Sequence, residues 1–137
     1  MSDKGDDTAD PTATGSQPPL VERAVVERLE SALGWDGMLQ ILEGCAEDNE
    51  RRLGQMRGLL NEWSEEDGSV RDEIRALAHA FKGSVANFGL ERARRQALEL
   101  EEAAPDPQVT PTSLVRHVDA LSETFERSVE AIRQSSS

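Results

Sequence analysis

Three side chains of this 137-residue sequence are candidates for nucleophilic chemistry near neutral pH: the imidazoles of His79 and His117 and the thiol of Cys45. One cysteine cannot form an internal disulfide, and two histidines with one cysteine give no structural zinc spacing, so neither a bound metal nor a cofactor is expected. Cys45 falls on an apolar stripe and reads as an inert buried thiol. His117 lies beside the stripe of its helix with no special neighbours and reads as structural or solvated. His79 is different. At about 100° per residue, the stripe of its helix centres on Leu77, Phe81, Val85 and Phe88, and His79 points roughly 150° away from it. Its neighbours at three and four residues are Arg75, Ala76, Lys82 and Gly83, with Ala80 and Ala86 toward the same surface. Small side chains leave the imidazole standing above a low patch. A mid-helix glycine costs about 1 kcal/mol relative to alanine, so an exposed Gly83 is hard to explain by stability. It is explained by the close approach of another protein's backbone.

The elements that must position this histidine are helices. From Leu20 onward apolar residues recur at three-and-four spacing, and no segment alternates as a strand would. Leu20, Val21, Ala24, Val25, Leu29 and Leu33 predict a short first helix ended by Gly34. A second runs over about 36–63, weakened by Gly44, Gly54 and Gly58, and is followed by a polar turn at 64–69. A third covers about 70–88 with Gly89 at its end. A fourth covers about 90–104 and stops at Pro105-Asp106-Pro107, and a fifth covers about 111–134. Short connections favour antiparallel neighbours, so the expected fold is all-α: an up-and-down four-helix bundle over 20–134, with the short additional N-terminal helix covering one end. Residues 1–19 are polar and proline-rich without periodicity and are expected to be a disordered acidic tail; 135–137 are expected to be disordered as well.

Composition narrows the function. Fifteen Lys and Arg against 27 Asp and Glu give a net charge of −12, which argues against general affinity for nucleic acid or anionic membranes. With 36% hydrophobic and 4% aromatic residues, the chain is thin for a β-sandwich but sufficient for a bundle. The N-terminus lacks an apolar leader and no run approaches the roughly 18 apolar residues that span a bilayer, so a cytoplasmic monomer is expected.

The run Ala78-His79-Ala80-Phe81-Lys82-Gly83-Ser84-Val85-Ala86-Asn87-Phe88-Gly89-Leu90 resembles the signature of histidine-containing phosphotransfer domains of bacterial two-component phosphorelays. The similarity extends to Ala97 and to the pair Leu100-Glu101. Val85, where Ser or Ala is commoner, and Ala93, where a larger apolar residue is commoner, depart from the pattern at positions expected in the core. The resemblance implies that His79 accepts a phosphoryl group from a receiver-domain aspartyl phosphate and passes it to another response-regulator receiver. It also implies that Lys82 shields the phosphate charge and that Gly83 permits close docking. Arg75, Ala76 and Ala86 complete the partner surface by wheel geometry. The partners implied are receiver domains and a hybrid histidine kinase, with Mg²⁺ expected in the receiver and none in this chain.

A nucleotide-binding kinase is excluded on size and on the lack of a glycine-rich phosphate loop, so the chain is read as a carrier and not an enzyme. The alternative is an acidic helical interaction module that scaffolds or inhibits a partner without carrying phosphate. Residues 51–95 carry a net +2 and the remainder −14. This asymmetry either steers an acidic receiver toward His79 or reflects Arg92, Arg94 and Arg95 balancing Glu99, Glu101 and Glu102.

Overall fold

The computed structural model describes residues 17–64 and 68–135. Four helices follow one another: α1 (Arg23–Asn61), α2 (Ser69–Ala86), α3 (Glu91–Ala103) and α4 (Pro111–Arg133), with no strand among the described residues. Each helix packs its backbone against its two neighbours in the cycle α1, α2, α3, α4. Cross-links at both ends show the antiparallel sense. Arg57 near the end of α1 reaches Asp119 near the start of α4, whereas Glu43 pairs with Arg133 at the far end. None of the described helices is long and apolar enough to cross a membrane.

The core follows from helical periodicity. Met38, Leu42, Cys45, Leu53 and Met56 turn inward from α1 and Val70, Ile74, Ala78, Phe81 and Val85 from α2. Ala93, Ala97 and Leu100 of α3 and Leu114, Val118, Leu121, Phe125, Val129 and Ile132 of α4 complete it. Phe81 and Phe125 meet across the diagonal edge to face, with ring centroids 5.2 Å apart, an arrangement that contributes about 0.5–1.5 kcal/mol beyond burial alone. Val85 and Ala93, the two departures from the family pattern, are fully buried. One polar residue interrupts the α1 stripe. Asn49 is completely buried and donates to Cys45 Sγ at 3.3 Å and Ser84 Oγ at 3.0 Å, while Arg52 donates to its Oδ1 at 2.7 Å. Burial pushes the Cys45 thiol upward, which keeps it protonated as a passive member of this cluster.

The expected short first helix is the leading part of α1. Gly34 breaks the helical geometry at φ 75°, ψ 163°, a conformation essentially confined to glycine. The buried face of this arm differs from the sequence reading. Val26 is buried and Val21, Val25 and Leu29 half-buried, whereas Ala24 and Leu33 face outward. The cause is the arm's anchorage to the turn between α2 and α3, which fixes its rotation: Glu22 N–H donates to Gly89 O at 2.7 Å, and Val25 lies against Gly89. Arg92 donates through its backbone N–H to Pro19 O and through Nε to Pro18 O, both at 3.0 Å. Pro18 and Pro19, expected in the tail, are thus bonded to the start of α3. Residues 1–16, together with 65–67 in the expected turn and 136–137, lie outside the described residues. At the other end Ser135 caps α4, its backbone and side chain both donating to Ile132 O, so 135 does not belong with a loose terminus.

The loop after α3 is held by Arg71, whose guanidinium donates to the carbonyls of Ala104, Asp106 and Val109 and stacks 4.7 Å from the Trp63 ring centroid. Helix α4 then starts on Thr110, whose hydroxyl accepts from Ser113 N–H at 3.0 Å, with Pro111 at the first position.

Gly89 has φ 68°, and a methyl group there would sit 2.8 Å from Val25 Cβ. Gly89→Ala is expected to lower stability by about 2 to 4 kcal/mol, combining left-handed backbone strain with overpacking. Urea unfolding measures this, and an unchanged midpoint would show that the arm is not seated on the turn.

Candidate functional site

Because Ile74, Ala78, Phe81 and Val85 fill the inward face of α2, His79 must face solvent, and its side chain is 66% exposed. Arg75, Ala76, Gly83 and Ala86 are exposed on the same helix. A Cβ added at Gly83 would meet nothing within 4 Å, so the space above it is open to a partner. Arg75 is exposed, and its place in the site rests on helix position alone.

The residue that sequence reasoning did not place in the site is Glu101. It projects from α3, is only 16% exposed, and its two oxygens hold the two key side chains of α2. Oε2 lies 2.8 Å from His79 Nδ1 and Oε1 lies 2.7 Å from Lys82 Nζ. Lys82, 24% exposed, is thus already paired and does not stand free beside the imidazole. The Lys82 hydrogen bond is the main reason that the Glu101 carboxyl sits below the ordinary carboxylate range, with the His79 bond adding to it against the opposing effect of burial. An ionised carboxylate only accepts hydrogen bonds. His79 Nδ1 must therefore carry the proton, which leaves the lone pair of the neutral ring on Nε2, aimed away from Glu101. The sequence signal for Glu101 was present in the Leu100-Glu101 pair, but nothing in the periodicity of α3 tells which residue of α2 it would meet.

The second packing device behind the site is Ser84, next to Gly83. Its hydroxyl faces α1, where it accepts from Asn49 and contacts Cys45 Sγ at 3.4 Å. Two of the three cations of α3 are committed: Arg94 pairs with Glu91, and Arg92 holds the N-terminal arm. Neither of these two pairs with Glu99, Glu101 or Glu102. His117 is half-buried on α4 and is not brought to this site. Among the described residues no group of three or more His, Cys, Asp or Glu side chains is arranged to hold a metal ion.

Residues 40–135 match the family described as the Hpt domain. Among solved structures, the fold is similar to that of histidine-containing phosphotransfer protein B of Pseudomonas aeruginosa PAO1. That likeness has a TM-score of 0.71 at 22% identity and covers 85% of this chain and 93% of the other. It is also similar to a putative histidine-containing phosphotransfer protein from rice, with a TM-score of 0.56 at 17% identity, covering 84% and 83% respectively. No curated protein matches the chain.

Glu101→Gln removes the charge while keeping a side chain able to bond either ring tautomer. The Nδ1–H form of His79 should lose its dominance, read from imidazole ¹⁵N shifts. In the wild-type chain, the interactions that depend on the Glu101 charge are fully present above the ordinary carboxylate range. They are lost only as pH falls through the lowered value. The side-chain carboxyl ¹³C shift of Glu101 should therefore keep its ionised value to a lower pH than that of an unpaired glutamate. Equal tautomer populations in the wild type at neutral pH would overturn the assignment.

Proposed function

The chain belongs to the histidine-containing phosphotransfer domain family and is an intermediate of a phosphorelay, and from that membership we propose that His79 carries the phosphoryl group on Nε2. The observation that supports this most is the bond between Glu101 and His79 Nδ1, which directs the nucleophilic lone pair outward. In the transfer, Nε2 attacks the phosphorus of a receiver's aspartyl phosphate. The new P–N bond forms as the bond between phosphorus and the aspartate oxygen breaks, releasing the receiver's carboxylate. The ring, still protonated at Nδ1, gains positive charge that Glu101 offsets from 2.8 Å. Return to a second receiver reverses these steps. Such transfer depends on in-line positioning and charge stabilisation more than on covalent help from the carrier.

Lys82 supplies positive charge one turn from the imidazole while tethered to Glu101, so the phosphate meets a cation already held in place. Gly83 leaves room for the receiver's backbone, and Arg75, Ala76 and Ala86 form the surrounding surface. Mg²⁺ and the acidic residues that hold it belong to the receiver, and this chain acts in the cytoplasm as a monomeric carrier without kinase activity.

His79→Gln should abolish acid-labile, alkali-stable labelling by a phosphorylated receiver, and His117→Gln should leave it intact. Gly83→Gln should keep the helical signal and melting temperature while weakening transfer, with small phosphodonors such as phosphoramidate still modifying His79. Labelling that survives in the His79 variant would place the phosphate on another residue, whereas a wild-type chain that no receiver labels would leave the alternative of an interaction module without phosphate.

A further inference from the structure

A groove of about 570 Å³ opens between the end of α1 and the start of α2, beginning at the edge of the His79 patch. Its floor is apolar, with Leu59 and Leu77 half-buried against the core, and Gly58 leaves its α1 wall low. Ala76 lines the groove and also lies one turn before His79 on the exposed face of α2, so groove and patch are continuous. Two exposed carboxylates, Glu62 and Glu73, stand on opposite walls. Neither has an ion-pair partner among the described residues, in contrast to Glu43, Glu91 and Glu101.

We propose that this groove is a selectivity site for the receiver domain, taking an apolar side chain flanked by a lysine or arginine. The inference rests on the phosphotransfer reading of His79 and adds which receivers the chain prefers. At 1.5 Å per residue, Ala76 lies about 5 Å and Glu73 about 9 Å along the helix from His79. An ordinary interface covers about 800 Å² on each partner, a disc of about 16 Å radius, so a receiver centred on His79 reaches the groove. The contact surface is then electrically two-sided. Arg75 and Lys82 flank the histidine, where the receiver's acidic phosphorylation pocket must come. Glu62 and Glu73 lie to one side, where only a cationic surface avoids repulsion. An acidic receiver carrying a basic residue at the matching distance can dock in one orientation, whereas a receiver acidic throughout meets like charge.

The test uses the full chain with each purified receiver domain of its source organism, phosphorylated with acetyl phosphate. The variants are Glu62→Lys, Glu73→Lys and Gly58→Gln. The first places a cation at the C-cap of α1, where the helix dipole favours it, and the third adds bulk where a Cβ meets nothing, so folding should be retained in both. Each charge reversal is expected to raise the Kd of the best receiver about tenfold at low salt and less at high salt, with melting temperature and phosphoramidate labelling of His79 unchanged. A receiver Lys→Glu or Arg→Glu change should restore affinity for Glu73→Lys in a double-mutant cycle. Unchanged receiver affinity in all three variants overturns the proposal while leaving His79 as the carrier. So does an effect confined to self-association in sedimentation, which would make a second copy the occupant. A wild-type chain that takes phosphate from no receiver overturns the phosphotransfer reading, and this proposal with it.

Discussion

Helix α2 is held by Ile74, Ala78, Phe81 and Val85, each without solvent contact, and successive side chains on a helix turn by about 100°. Fixing these four therefore fixes the direction of every other side chain on the helix. His79 projects outward because Ala78 and Phe81 project inward. Lys82 and Gly83 occupy the next turn of that outer face, and Ser84 turns to α1. The site is in this sense the back of the core, and its orientation is set by apolar packing that takes no part in the chemistry.

Packing alone leaves the imidazole free to rotate and to exchange tautomers. The missing constraint comes from α3, which the short turn at Gly89 lays along α2 so that Glu101 spans both His79 and Lys82. Ion pairs this close to water contribute little to stability. Their effect is positional: one carboxylate determines which ring nitrogen carries the proton and where the nearest cation sits. Asn49 plays a comparable part inside the bundle. A polar side chain in an otherwise apolar stripe is tolerated because Cys45, Ser84 and Arg52 are its partners, and those partners occur together only in this alignment of α1 and α2.

Much of this was legible from residue order. The four-helix arrangement, the breaks at Gly34 and Gly89, the burial of Cys45 and the outward placement of His79 all follow from local rules of periodicity and backbone preference. Glu101 belongs to the family pattern, but sequence alone gives it no place in the site, since its contacts lie 19 and 22 residues back along the chain. The Arg71 clamp and the Asn49 cluster were missed for the same reason: both join residues more than 30 positions apart. The rotation of the N-terminal arm was misjudged because its apolar residues allow more than one inward face, and a backbone bond to Gly89 makes the choice.

The interruption at Gly34 divides α1 into two cooperative units. The arm is secured by Val26, by the Glu22 bond to Gly89 and by Arg92, whereas the core stripe of α1 begins only at Met38. Peeling the arm away removes Val26 from the core cluster but leaves the stripe from Met38 onward packed against the rest of the bundle. Its amide protons can exchange with solvent through local opening, at a free energy well below that of global unfolding. The amides beneath Phe81 and Phe125 stay protected until the whole bundle comes apart.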